Sequence, residues 1–160
     1  TDEFGGSLEN RLRFPLQIAK SVRETVPQNL PVFVCISATD WTERGWDLEQ
    51  SLELCKELKK LGIDLIDVSS GGNVPDAQIP ADPNYQVPFA AAIREKVIIP
   101  TTAVGLITEP RQAEDILQDG KADAILMARE FLREPYFVFH AAQELGENAD
   151  VPKQYGRAID

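Results

Sequence analysis

The chain has 160 residues, 43% hydrophobic and 26% charged, with a formal net charge of −10. That length suffices for one domain with a real core, and the acidic balance excludes nucleic acid and anionic membrane surfaces as main partners, since both need a basic face. No apolar run approaches the roughly 18 residues of a membrane span, and the polar opening TDEFGGSLENR is neither a signal nor a transit peptide. Two cysteines, Cys35 and Cys55, match neither a metal site nor a redox CxxC. The expectation is a cytoplasmic protein with no metal site.

From Leu8 to Val26, Leu12, Leu16, Ala19 and Val22 recur at helical spacing, with Phe14 and Ile18 beside them. Ser7 is placed as N-cap, and Pro15 moves the expected regular start toward Phe14. PVFVCIS, Pro31 to Ser37, reads as a strand buried on both faces. Asp47 to Leu61 is a helix with the stripe Leu48, Leu52, Cys55, Leu58 and Leu61, closed by Gly62. The alternation continues with a strand over Ile63 to Val68, a turn Ser69-Ser70-Gly71-Gly72, a proline-bearing loop and a helix near Val87 to Lys96. A strand follows over Val97 to Val104, a helix over Glu109 to Gln118 closed by Gly120, and a strand over Ala122 to Met127. Glu130 to Leu145 is helical with an interruption expected at Pro135, and the tail from Gly146 is irregular.

Four buried-type strands alternating with helices imply a parallel α/β sheet with right-handed crossovers. A doubly wound dinucleotide binder would carry GxGxxG after its first strand. Here Val34-Cys35-Ile36-Ser37 runs into Ala38-Thr39-Asp40 instead. A barrel wall places its chemistry on the loops after the strands, and that is where Ser37, Asp40, Ser69 to Gly72, Gly105 and Arg129 fall. The pattern favours four βα units, (βα)4, of a TIM barrel. Residues 1–145 form the half barrel, opening with a helix, and residues 146–160 form a C-terminal tail. Such a half leaves the strands Pro31 to Ser37 and Ala122 to Met127 with open edges, so the chain is expected to pair with a second copy or a complementary half barrel.

Gly105 lets a backbone N–H approach an anion closely because no Cβ intervenes. Arg129 follows a strand and starts a helix, adding a guanidinium to the positive end of the helix dipole. Together they read as a phosphate site. The competing reading pairs Arg129 with Glu109, Glu130 or Asp123. Ser69 to Gly72 is a weaker polar cradle, because most such loops are only turns. His140 reads as structural, and Arg11 and Arg13 as ties between the helix start and neighbouring loops.

DEFGGSLENRLRF (Asp2 to Phe14), DLIDVSSGG (Asp64 to Gly72), TTAVGLIT (Thr101 to Thr108) and ILMAREFLREPYF (Ile125 to Phe137) resemble Old Yellow Enzyme-like flavoproteins. ISATDW and Gln154-Tyr155-Gly156-Arg157 are similar to the thermophilic-like bacterial ene-reductases of that family. The resemblance covers essentially the whole chain and implies the C-terminal half of a TIM (βα)8 barrel. It also implies FMN as cofactor, NAD(P)H as reductant and an electrophilic alkene as substrate. By resemblance, Ala103, Val104, Gly105, Ala128 and Arg129 surround the FMN phosphate, Ser69, Ser70 and Gly71 flank the flavin, and Arg157 reaches a neighbouring subunit's active site. Two positions depart from the family. Cys35 stands where relatives carry an arginine facing the flavin, and Thr102 where they tend to have glycine. A thiol cannot replace a permanent positive charge. The substrate-orienting and proton-donating residues belong to the first four strands of such a barrel, so no catalytic residue is assigned in this chain.

Overall fold

The computed structural model describes residues 2–158. Ser7 accepts from the Asn10 amide and opens α1 (Leu8–Thr25), which runs unbroken through Pro15. The expected start near Phe14 is therefore corrected. Proline removes one i→i−4 bond, but the partly buried Leu12 and Leu16 and the buried Ala19 hold the helix against the core on both sides of it. The Arg23 side chain, buried at the last turn, donates to the carbonyls of Val26, Pro27 and Leu30 and ion-pairs with Asp64 at 3.4 Å. It fixes the turn from α1 into β1 (Phe33–Ser37).

Asp47 accepts from the Gln50 amide and caps α2 (Leu48–Lys60), whose Leu52, Leu54, Cys55 and Leu58 are buried. Gly62 then takes the left-handed conformation that ends the helix (φ 84°). β2 (Leu65–Ser69) follows, and a long loop leads to α3 (Val87–Val97).

The strand expected over Val97 to Val104 shrinks to β3 (Thr101–Ala103). Val97 completes α3, Ile98 turns left-handed (φ 57°), and Lys59 Nζ donates to both of their carbonyls at 2.9 and 2.7 Å. The β-branched run was thus consumed by a helix end that a lysine from the neighbouring helix caps. α4 (Pro110–Gln118) opens on a capping box between Glu109 and Gln112. β4 is only Ala124–Ile125, and the final helical stretch divides at Pro135 into α5 (Arg129–Arg133) and α6 (Phe137–Leu145). A short 3-10 turn, Gly156–Ala158, lies in the tail.

The four strands are parallel in the order β1-β2-β3-β4. Ile36, Val68 and Ala103 share a register row that faces the helices and is buried. The adjacent row, Cys35, Asp67, Thr102 and Ala124, points the opposite way, toward what would be a barrel interior. Among the described residues, the outer edges of β1 and β4 pair with no strand. Phe14, Ile18 and Phe33 are exposed near the first edge, and Leu132 and Val138 lie exposed on the helices that follow the second. These are core-type side chains without a core.

Candidate functional site

The ends of β3 and β4 enclose a cleft of about 150 Å³ lined by Val104 to Thr108, Leu126 to Glu130, Tyr85, Gln86 and Arg133. Gly105 takes φ 120°, and a Cβ there would sit 3.0 Å from Gln86 Nε2 and 3.1 Å from Tyr85. Only glycine lets the two loops meet so closely. The backbone N–H groups of Gly105, Leu106, Met127 and Ala128 find no acceptor among the described residues. The carbonyl of Gly105 accepts from Asn84, which ties the loop before α3 across the cleft.

Arg129 is exposed at the cleft mouth, and no carboxylate lies within ion-pair distance of it among the described residues. Each competing partner is engaged elsewhere. Asp123 holds Arg94 at 3.0 Å, Glu130 holds Arg133, and Glu109 caps α4. The cleft thus presents one unmatched positive charge with free amide donors. The helix-dipole contribution expected at Arg129 is small, because α5 has only five residues.

Of the sequence candidates, the structure brings Val104, Gly105, Ala128 and Arg129 together. Ala103 lies just behind, buried in β3, its carbonyl accepting from Leu126. Ser69, Ser70 and Gly71 do not line this cleft. Ser69 Oγ donates to the Ile36 carbonyl, Gly71 accepts from Ser37, and Ser70 is held by Trp41 and Gln86. They lock the loops after β1 and β2 together. Arg157 is exposed in the tail and is not among the residues lining the cleft. Arg11 lies over the Trp46 ring at 5.9 Å and Arg13 bonds Asn10, while His140 is exposed beside Glu134. Sequence reasoning missed Tyr85, Gln86 and Arg133, which carry no motif and reach the cleft only through the fold.

Cys35 is exposed on the open face of the sheet. Partial screening of its sulfur from water, and then the Asp67 carboxylate beside it, push the thiol up from its ordinary value. Thr102 Oγ1 donates to Asp67 Oδ1 at 3.0 Å. The two departures from the family pattern thus flank one carboxylate across three strands. A larger hollow, about 640 Å³, runs between α1 and α2 past Leu12, Leu16 and Glu53, remote from the strand ends.

A family model described as NADH:flavin oxidoreductase / NADH oxidase matches residues 1–148. The chain belongs to that family. It is 52% identical over 158 residues to an NADPH dehydrogenase of Halalkalibacterium halodurans, covering 99% of this chain and 46% of that protein. It is 46% identical over 157 residues to an NADPH dehydrogenase of Bacillus subtilis, covering 98% and 46%. The chain therefore spans about half the length of the curated relatives it matches. A 2-naphthoyl-CoA reductase superposes with a TM-score of 0.78 at 28% identity, covering 92% of this chain and 23% of that one. Morphinone reductase superposes at 0.67 with 23% identity, covering 97% and 40%, which supports the fold. The (βα)4 sheet is thus part of a TIM barrel, as the Asp2 to Phe14 signature led one to expect.

Proposed function

We propose that this chain is the FMN-phosphate-binding half of an NAD(P)H-dependent flavin oxidoreductase. The observation that carries the reading is the unpaired Arg129 beside free N–H donors and a Cβ-less Gly105 at the ends of β3 and β4. Backbone donors and a guanidinium in one concave loop pair suit a phosphate monoester. When bound, FMN supplies hydride transfer from NAD(P)H to an electrophilic alkene. The residues of this chain would anchor the phosphate and close the polar loops over it.

The ring end fits less well. Cys35 and Asp67 offer no fixed positive charge where the row of the sheet faces inward. That observation favours a second reading, a non-catalytic FMN- or phosphate-binding half-barrel module. Titrating the chain with FMN and with riboflavin, followed by flavin fluorescence, tests the anchor. FMN should bind the more tightly, and Arg129→Ala should weaken FMN about tenfold or more while leaving riboflavin unchanged. Equal affinity for the two flavins would sink the phosphate reading. NADPH-driven bleaching of the bound flavin separates the oxidoreductase from the module.

The open edges support association with a complementary half barrel or a second copy. Arg157 would then meet a neighbouring subunit. No helix of the described residues is long and apolar enough to cross a membrane, and the two free cysteines support a cytoplasmic setting.

A further inference from the structure

Parallel pairing sets Cys35, Asp67, Thr102 and Ala124 in one row, and strand alternation aims that row away from the helices. On the same face, Phe33 and Leu65 pair two positions before it and Ser37 and Ser69 two positions after. Of these eight side chains only Asp67 is a charged type. The other two carboxylates tied to the sheet have cations. Asp64 meets Arg23 at 3.4 Å and Asp123 meets Arg94 at 3.0 Å. Asp67 has no lysine or arginine within ion-pair distance among the described residues. Its neighbours are the Thr102 hydroxyl, which donates to Oδ1 at 3.0 Å, and the Cys35 thiol. Screening from water, and then Asp67 itself, push that thiol up, so it stays a neutral donor. The row therefore carries a carboxylate and no counter-charge.

This face is the inner wall of a TIM barrel, and such interiors are packed. A carboxylate enclosed there without a cation is costly, which is why buried charges are paired. A hydroxyl and a neutral thiol supply hydrogen bonds but no charge. We propose that the inward row around Asp67 is a binding site for a positively charged nitrogen, an amidinium or guanidinium, with Thr102 as the positioning residue that fixes one carboxylate oxygen. A planar cation of that kind offers parallel N–H donors that match a carboxylate. The nitrogen belongs either to a small-molecule ligand or to a side chain of the strands that close the barrel. The site is separate from the cleft at the ends of β3 and β4 and does not depend on a phosphate binding there.

Cys35 is a built-in reporter, because it is exposed beside Asp67 while Cys55 is buried. The test measures Cys35 labelling in the full chain by two thiosulfonate reagents, one with an ammonium tail and one with a sulfonate tail, each normalised to a free thiol. The cationic reagent should be favoured, and Asp67→Asn should cut that preference about fivefold or more. Asp67→Thr, suited to a strand, serves as the second variant if the asparagine variant misfolds. The ratio of the two rates is the readout, since either substitution also changes the thiol itself. A preference unchanged without Asp67 would trace to the net charge of −10 and overturn the proposal. Benzamidinium, with benzoate as control, then identifies the source. Protection of Cys35 by benzamidinium alone assigns the site to a small-molecule cation. An Asp67-dependent preference without protection assigns it to a cationic side chain of the closing strands. In that case Cys35→Arg should raise the thermal midpoint, and Asp67→Asn in the same chain should cancel the gain.

Discussion

Cys55 and Cys35 are one side chain in two settings, and the surroundings decide their chemistry. Cys55 is fully buried in α2, and burial pushes its thiol up to about 12. Its folded value lies above the ordinary 9.0, so the stability it contributes is complete below that value and declines as pH rises toward about 12. The midpoint of thermal unfolding should fall steadily across that window. Cys55→Ala should start lower, because it opens a cavity, and fall less steeply. At Cys35 the issue is electrostatic. Placing a guanidinium beside Asp67, as in Cys35→Arg, should strengthen flavin binding if the inward row faces the ring, and an unchanged affinity in a fluorescence titration would mean that it does not. The sequence identified Cys35 and Thr102 as departures from a family pattern. Their shared partner Asp67 was not legible, because cross-strand register joins residues more than thirty positions apart.

At the scale of elements, joints between helices and strands carry the stability. Arg23 satisfies three carbonyls and Asp64 from a buried position, so Arg23→Ala should cost about 3 kcal/mol in urea unfolding, chiefly by stranding those acceptors. Asp123 joins the end of α3 to the starts of β3 and β4 by accepting from Arg94 and from the Thr101 amide. Hydrogen bonds from Arg94 hold its carboxyl below the ordinary 3.8. A depressed carboxyl stabilises the fold above its unfolded value and loses that contribution as pH falls through the folded value. Asp123→Asn should therefore flatten the acid limb of a stability profile below about pH 4. Helix α2 was readable from the sequence because its stripe, Asp47 cap and Gly62 stop agree with each other. The run Val97 to Val104 was not, because β-branched residues suit a strand locally while Lys59, distant in sequence, caps a helix end there.

Across the whole molecule, the sheet stops at both sides with its hydrogen-bonding edges free among the described residues and apolar side chains standing beside them. Such edges recruit further strands. Light scattering should give a mass well above the 17.8 kDa of one chain; a monodisperse monomer would show that the half barrel shields its edges alone. By itself the sequence determined the (βα)4 order, the family and the loops at which Gly105 and Arg129 would lie, because periodicity, caps and the Asp2 to Phe14 signature are local. Only the tertiary structure decided that Arg129 is left unpaired while Asp123, Glu130 and Glu109 are engaged. It also decided that Ser70 serves Gln86 instead of the cleft, and that Gln86 turns its amide toward Gly105. Those outcomes depend on which of several chemically equivalent partners packing brings within three ångströms, and that is settled by the closing of parallel strands and not by spacing along the chain.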